Sequence, residues 1–112
     1  MTKVRYYDDE NFFSITFSGH AGYAESGKDI VCAGISVLAS ELILASRNAL
    51  DRGEIEALYY SAESGKVKLQ FRYAGGGAIR EVIALILECL RSVATQYSQH
   101  LAVIKMHSNS NV

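Results

Sequence analysis

A histidine and a cysteine stand twelve positions apart, as His20 and Cys32, in a stretch that also holds several glycines. A thiolate is a strong nucleophile, and an imidazole beside it can take the thiol proton and later donate a proton to a leaving amine. The pair is therefore a candidate for covalent catalysis at a carbonyl. That chemistry requires the fold to bring both side chains to one place.

Asp29 is a good candidate for the N-cap of a helix, because its carboxylate can accept from a backbone N–H of the first turn. Cys32 would then be the third helical residue, where unpaired amides and the positive end of the helix dipole favour a thiolate. The same amides could hold the oxyanion that forms during attack on a carbonyl. We therefore expect the helix start to activate the sulfur of Cys32.

The segment between the pair is a candidate lid, because its glycines allow unusual backbone dihedrals. Asp29 is the nearest carboxylate that could orient the imidazole, although an N-cap residue cannot freely serve both tasks. Ser36 lies one helical turn beyond Cys32, and Tyr23 is a candidate contact for an aromatic substrate segment. The glycines of the segment are Gly19, Gly22 and Gly27.

Alternating apolar and polar residues predict strands at 4–7, 13–18, 55–62, 66–73 and 101–106, and a 3.6-residue period predicts helices at 29–50 and 79–97. The order is strand, strand, helix, strand, strand, helix, strand. It indicates an α+β fold in which two helices pack on a mixed, largely antiparallel sheet. Because two faces of the first helix are apolar, we expect it to be covered on several sides.

Length and composition predict a single domain over residues 1–112, with a net charge of −1 and no visible basic stripe. We therefore expect no direct nucleic-acid binding. The N-terminus lacks the apolar stretch of a signal peptide, and Ser36, Ser40 and Glu41 interrupt the longest apolar run, so we expect a cytoplasmic protein with no membrane contact. Two cysteines make a disulfide framework improbable, so we expect free thiols.

Other polar residues carry weaker signals. Cys89, in the middle of the second helix, is typical of core filler, and His100 and His107 are expected at the surface. No His or Cys spacing is typical of a zinc site, so we expect no metal and no cofactor. Residues 22–28 fit the phosphate-loop pattern GxxxxGK, but Asp29 follows where that motif needs Ser or Thr, and this argues against a nucleotide site.

Residues 19–36 read GHAGYAESGKDIVCAGIS and closely resemble the signature of the ribosomal-processing cysteine proteases, the Prp family. In that family a GHA element carries the catalytic histidine, and a GxDIVCAAxS-like element carries the catalytic cysteine. The resemblance implies catalytic roles for His20 and Cys32, and supporting roles for Gly19, Asp29 and Ser36. One departure is Gly34 in place of the commoner alanine, which costs up to about 1 kcal/mol of helix propensity.

The resemblance further implies a bacterial cytoplasmic endopeptidase that works as a homodimer. Its substrate would be the large-subunit ribosomal protein bL-twenty-seven, from which it would remove an N-terminal extension at a site that follows aromatic residues. Two other functions stay open at this point. One is a non-catalytic, ribosome-associated binding module that uses the same groove. The other is a thiol redox or peroxide sensor at Cys32, which would need Cys89 to approach it in space.

Overall fold

Five strands and two helices form the structure, a computed structural model that describes residues 1–108. Their order confirms the predicted α+β fold, and each predicted element is present with bounds that shift by a few residues. The strands are β1 (Thr2–Asp8), β2 (Phe12–Ser18), β3 (Ile55–Glu63), β4 (Lys66–Tyr73) and β5 (Leu101–Lys105). The helices are α1 (Ile30–Asp51) and α2 (Ile79–Gln96).

The strands form one sheet in the order β3-β4-β2-β1-β5. The pairs β1–β2, β2–β4 and β3–β4 are antiparallel, whereas β5 pairs parallel with β1. The sheet is therefore mixed and largely antiparallel, as the sequence predicted. β2 lies at its centre, so the loop that leaves the end of β2 toward α1 starts from a strand that is paired on both sides.

Alternation of side chains along the strands, interrupted in β3 by a register shift between Glu56 and Tyr59, separates two faces of the sheet. Phe13, Ile15 and Phe17 of β2 are buried, and both helices lie over this face. α1 contacts β3, α2 contacts β5, and the two helices contact each other. The core between helices and sheet is completed by Leu42, Leu69, Phe71, Ile83 and Leu90, all almost fully buried. The strand residues that point away from the helices form a second face, called here the open face.

α1 is covered along one side within the described chain. Its inner stripe is buried through Val31 and Leu42, but Ile30, Val37 and Leu44 are 63%, 61% and 49% exposed. Within residues 1–108 the sheet and α2 occupy only part of its circumference, so the expected cover on the other sides stays a prediction. By length and apolar composition, α1 is also the one helix of the described chain that could cross a membrane, a criterion that core helices meet as well.

Candidate active site

His20 and Cys32 line the same two cavities at the junction of β2 and α1. The larger cavity has a volume of about 640 Å³ and the smaller about 220 Å³. Ser36 and Ser64 line both cavities as well. The fold therefore brings together the imidazole, the thiol and the predicted supporting serine. Within residues 1–108 no hydrogen bond joins the His20 ring to the Cys32 sulfur, as is common in catalytic pairs without substrate.

Asp29 caps α1 and also ties the preceding loop to it. Its Oδ1 accepts from the backbone N–H of Cys32 over 2.8 Å, which confirms the predicted N-cap. Its Oδ2 accepts from the backbone N–H groups of Tyr23 and Ala24 over 2.9 and 3.3 Å. These donors, the amide of Cys32 first, hold the pKa of the Asp29 carboxyl below its ordinary value, because they stabilise its charged form.

The amide of Cys32 is therefore already engaged. We expected the amides at the helix start to be open to an oxyanion, but the amide of Cys32 itself donates to the carboxylate of Asp29. The same carboxylate makes no hydrogen bond with the His20 ring within the described chain. In this state Asp29 acts as a cap and a loop tie, and it does not orient the imidazole.

Gly19 fixes the backbone just before His20. Its N–H donates to the carbonyl oxygen of Gly65 over 2.8 Å, and its own carbonyl accepts from the hydroxyl of Thr2 over 3.2 Å. The φ of Gly19 is +87°, and an added β-carbon would lie 2.7 Å from the carbonyl oxygen of Met1. Only glycine fits there, because a side chain would collide with the backbone of Met1, and the supporting role of Gly19 that the resemblance implies stays a prediction.

The β3–β4 turn supplies two residues of the site that the sequence analysis missed. Ser64 lines both cavities. Gly65 lies against the imidazole, since a β-carbon added to it would be 3.0 Å from Nε2 of His20. The sequence predicts strands on either side of this turn, at 55–62 and 66–73, but does not predict what the turn lies against. Only the pairing of β2 with β4 brings this turn beside the end of β2.

His100, which precedes β5, contacts the loop between β2 and α1. Its Nδ1 lies 3.0 Å from the carbonyl oxygen of Ala21, the residue after His20. The ring of Tyr23 meets the rings of Tyr97 and His100 edge to face, at centroid distances of 5.4 and 5.3 Å. The expectation that His100 is a surface residue is therefore wrong, because it is half-buried, whereas His107 is exposed as predicted. Tyr23 packs on this cluster and does not line either cavity.

Cys89 lies on α2 and lines neither cavity, and both cysteines are free thiols. Residues 1–108 contain no group of three or more His, Cys, Asp or Glu side chains that could hold a metal ion. Lys28 of the phosphate-loop-like pattern lines the larger cavity, but both sheet neighbours of β2 are antiparallel to it. A nucleotide-binding loop of that type follows a strand of a parallel sheet.

Comparison with known proteins gives one family and several solved structures of similar fold. The sequence model of the family described as cysteine protease Prp matches residues 1–102. An S. aureus ribosomal processing protease Prp, crystallised with a covalently linked product peptide, is 23% identical with a TM-score of 0.67, and the match covers 95% of this chain and 100% of that one. A Streptococcus mutans protein is 20% identical with a TM-score of 0.66, covering 95% and 94%. No curated protein sequence matches the chain significantly.

Proposed function

Because this chain belongs to the cysteine protease Prp family, we propose that it is a cytoplasmic endopeptidase that removes the N-terminal extension of the ribosomal protein bL-twenty-seven. The observation that carries the proposal is the shared cavity of His20 and Cys32 at the first turn of α1. A thiol at that position and an imidazole in the same groove are the two groups that hydrolysis through an acyl-enzyme needs. The S. aureus relative was crystallised with peptides, which supports a peptide substrate here.

In the proposed reaction, the Cys32 thiolate attacks the scissile carbonyl carbon, and the carbonyl π electrons move to oxygen. The tetrahedral intermediate then collapses, the C–N bond breaks, and the His20 imidazolium protonates the departing amine. His20, now neutral, takes a proton from water as the water attacks the thioester. Breaking the C–S bond regenerates the Cys32 thiolate and releases a carboxylic acid, which loses its proton to solvent, while the proton taken from water stays on the imidazole.

The oxyanion needs donors that are free to meet it. Since the amide of Cys32 donates to Asp29, the hydroxyl of Ser36 is the better candidate. It lies one turn after the nucleophile on the same face of α1, and it lines both cavities. Removing one oxyanion donor from a protease costs about 10²–10³ in rate, so the hydroxyl is worth testing directly.

The two cavities suggest how a peptide lies in the site. The larger one is open along the loop and the start of α1 and has the volume of a typical ligand groove. The smaller one has an apolar part beside the charged residues Glu63 and Lys66, and an aromatic side chain next to the scissile bond fits the apolar part. That part is formed by Phe17, Ile35, Ala39 and Val67.

We also propose that the protein forms a homodimer through the exposed side of α1. Ile30, Val37 and Leu44 repeat every seven residues, which places them along one stripe of the helix. All three are about half or more exposed, and the described chain leaves them uncovered. A second copy of the same stripe would bury them by a two-fold contact. Ile30 also lines the larger cavity, so this interface would begin beside the active site.

A peptide that copies the extension of the ribosomal protein tests the activity, with products followed by mass spectrometry. Cys32→Ala should abolish cleavage, and His20→Ala should lower the rate by about 10²–10⁴. Cys89→Ala is the matched control, because it removes the other free thiol and should leave the rate unchanged. Cleavage by the Cys32→Ala variant would overturn the mechanism. Peptide binding without cleavage by the native protein would favour the binding module.

A further inference from the structure

The open face of the sheet brings together cations that are scattered in the sequence. Strand register places Lys3 opposite Ser18 and Ser18 opposite Lys66. The next row holds Arg5, Thr16 and Lys68 in the same way. Residues that pair directly across strands project on the same side of a sheet, with neighbouring strands about 4.8 Å apart. Four cations therefore surround the centre of β2. They are called here the basic cluster: Lys3, Arg5, Lys66 and Lys68.

The charge of this face is opposite to that of the whole chain. The strands put five of the eleven Lys and Arg residues on the open face, but only two of the twelve Asp and Glu residues, so the face is net +3 while the chain is net −1. The fifth cation, Arg72, lies 3.3 Å from Glu56 and is paired. The other acid, Glu63, is opposite Lys66 at the edge of the cluster, where both residues also line the smaller cavity of the active site.

A buried hydroxyl lies in the middle of the basic cluster. Thr16 is only 8% exposed, and its Oγ1 has no hydrogen-bond partner within the described chain. A buried hydroxyl without a partner costs free energy, so such groups are rare in native structures. Its neighbours on either side are Arg5 and Lys68. A hydroxyl between two cations is the donor set that an anionic oxygen fits.

We propose that the open face binds the phosphates of single-stranded RNA. The basic cluster contacts the backbone, and aromatic rings one row further along the strands stack on bases. The Thr16 oxygen is covered in the free chain, so its hydroxyl donates to a phosphate oxygen once the flanking Arg5 and Lys68 side chains turn onto that phosphate.

The two rings belong to Tyr59, which is 53% exposed, and Tyr7. They lie on one row of the sheet, because Tyr59 pairs with Gln70, Gln70 with Ser14, and Ser14 with Tyr7. Sheet faces that combine cations with aromatic rings bind single-stranded nucleic acid in this way, with the cations on the phosphates and the rings stacked on the bases.

Single-stranded RNA suits this face better than an acidic protein segment does. An acidic peptide would use the cations but would gain nothing from the aromatic row. In a duplex the bases are stacked inside the helix, so the aromatic row could not stack on them. The expectation of no nucleic-acid binding depended on the absence of a basic run along the sequence. Lys3 and Arg5 are more than sixty positions from Lys66 and Lys68, and only the strand register assembles them.

Fluorescence anisotropy with a short labelled oligouridine tests the proposal. For single-stranded nucleic acid, a plot of the logarithm of the binding constant against the logarithm of the salt concentration falls with a slope of about −0.7 for each phosphate contact. Four cations therefore predict a slope near −2.8. Raising salt from about 50 to 200 mM should then weaken binding about 50-fold. The double variant Arg5→Gln/Lys68→Gln should lose about half of this slope. The matched double variant Arg47→Gln/Lys105→Gln, which removes the same charge from positions off the open face, should keep it.

Thr16→Val separates binding from stability. Removing an unpaired buried hydroxyl should raise the melting temperature, while losing a hydrogen bond to phosphate should weaken RNA binding about tenfold. A variant that melts higher and binds RNA as tightly as before would contradict the proposal. So would equal RNA binding by the two double variants, or equal competition by a polyglutamate peptide. Peptide cleavage should be unchanged in Arg5→Gln/Lys68→Gln, so this test is independent of the protease assay.

Discussion

A β-carbon added to Gly65 would lie 3.0 Å from the Nε2 atom of His20. The imidazole therefore rests against the backbone of the β3–β4 turn, 45 positions further along the chain. The hydrogen bond from the Gly19 N–H to the Gly65 carbonyl holds the same turn to the start of the loop. The position of the proposed acid–base group thus depends on a turn that carries no catalytic residue.

Gly65→Ala should impair catalysis more than stability alone explains. Alanine at positive φ costs about 1–2 kcal/mol, and the new methyl group must also displace the imidazole. A shift of about 1 Å in a catalytic group can cost about 100-fold, so we expect kcat/KM to fall by about 10- to 100-fold. The matched control is Gly53→Ala, since Gly53 has φ of +75° against +76° for Gly65 but no atom within 4 Å of its added β-carbon. Equal activity of the two variants, at equal loss of stability, would contradict this role of Gly65.

The sequence predicts the helix start of the site well, but it does not predict the residues that the sheet brings to the site. The Asp29 cap and the place of Cys32 in the first turn follow from local rules, and both are confirmed. Gly65, Ser64 and His100 reach the site through strand pairing and the parallel addition of β5, which a linear pattern does not encode. For the same reason the sequence did not reveal the open face or the uncovered stripe of α1.

Asp29→Asn should change how stability depends on acid. The pKa of Asp29 lies below its ordinary value of 3.8 because the Cys32 amide, followed by the Ala24 and Tyr23 amides, stabilises the carboxylate. Folding therefore favours the ionised form, and its contribution is complete at neutral pH and lost as pH falls from about 4 through the lowered pKa. Asparagine can still cap Cys32, but its NH₂ group cannot accept from Tyr23 and Ala24.

We therefore expect the wild type to be more stable than Asp29→Asn at neutral pH, with a difference that shrinks below about pH 4. Urea unfolding of both proteins across this range gives the measurement. Other carboxylates, including Asp8 with a pKa raised by burial, are common to both proteins and cancel in the difference. A difference that stays constant down to about pH 2 would show that the ionised carboxylate is not what holds the loop.

Ser36→Ala should lower kcat by about 10²–10³ with little change in KM, if its hydroxyl meets the oxyanion only in the transition state. Ser40→Ala is the matched control, because Ser40 is an exposed serine one turn further along α1 that lines neither cavity. Steady-state kinetics on the extension peptide separates the two constants. An effect of Ser36→Ala on KM alone would assign the hydroxyl to ground-state binding instead.

Val37→Glu should convert the proposed dimer to monomers. Val37 is the middle residue of the exposed stripe on α1, and a carboxylate there would be buried against its own copy across a two-fold interface. Light scattering after size exclusion gives the mass directly. Ile104→Glu is the control, since Ile104 is exposed on the open face at the far side of the sheet. A native protein that is monomeric at high concentration would reject this interface.

His100→Ala should loosen the loop that carries His20 without unfolding the protein. The bond from Nδ1 to the Ala21 carbonyl and the edge contact with Tyr23 both hold this loop. A hydrogen bond of this kind contributes about 1 kcal/mol, so we expect kcat/KM to fall about fivefold and the amides of residues 19–28 to exchange faster. His100→Asn can present an amide N–H where Nδ1 lies, so it should restore most of the activity but not the ring contact. If the alanine variant exchanges as slowly as the native protein across residues 19–28, the loop is held by Asp29 and the hydrogen bonds of Gly19, and not by His100.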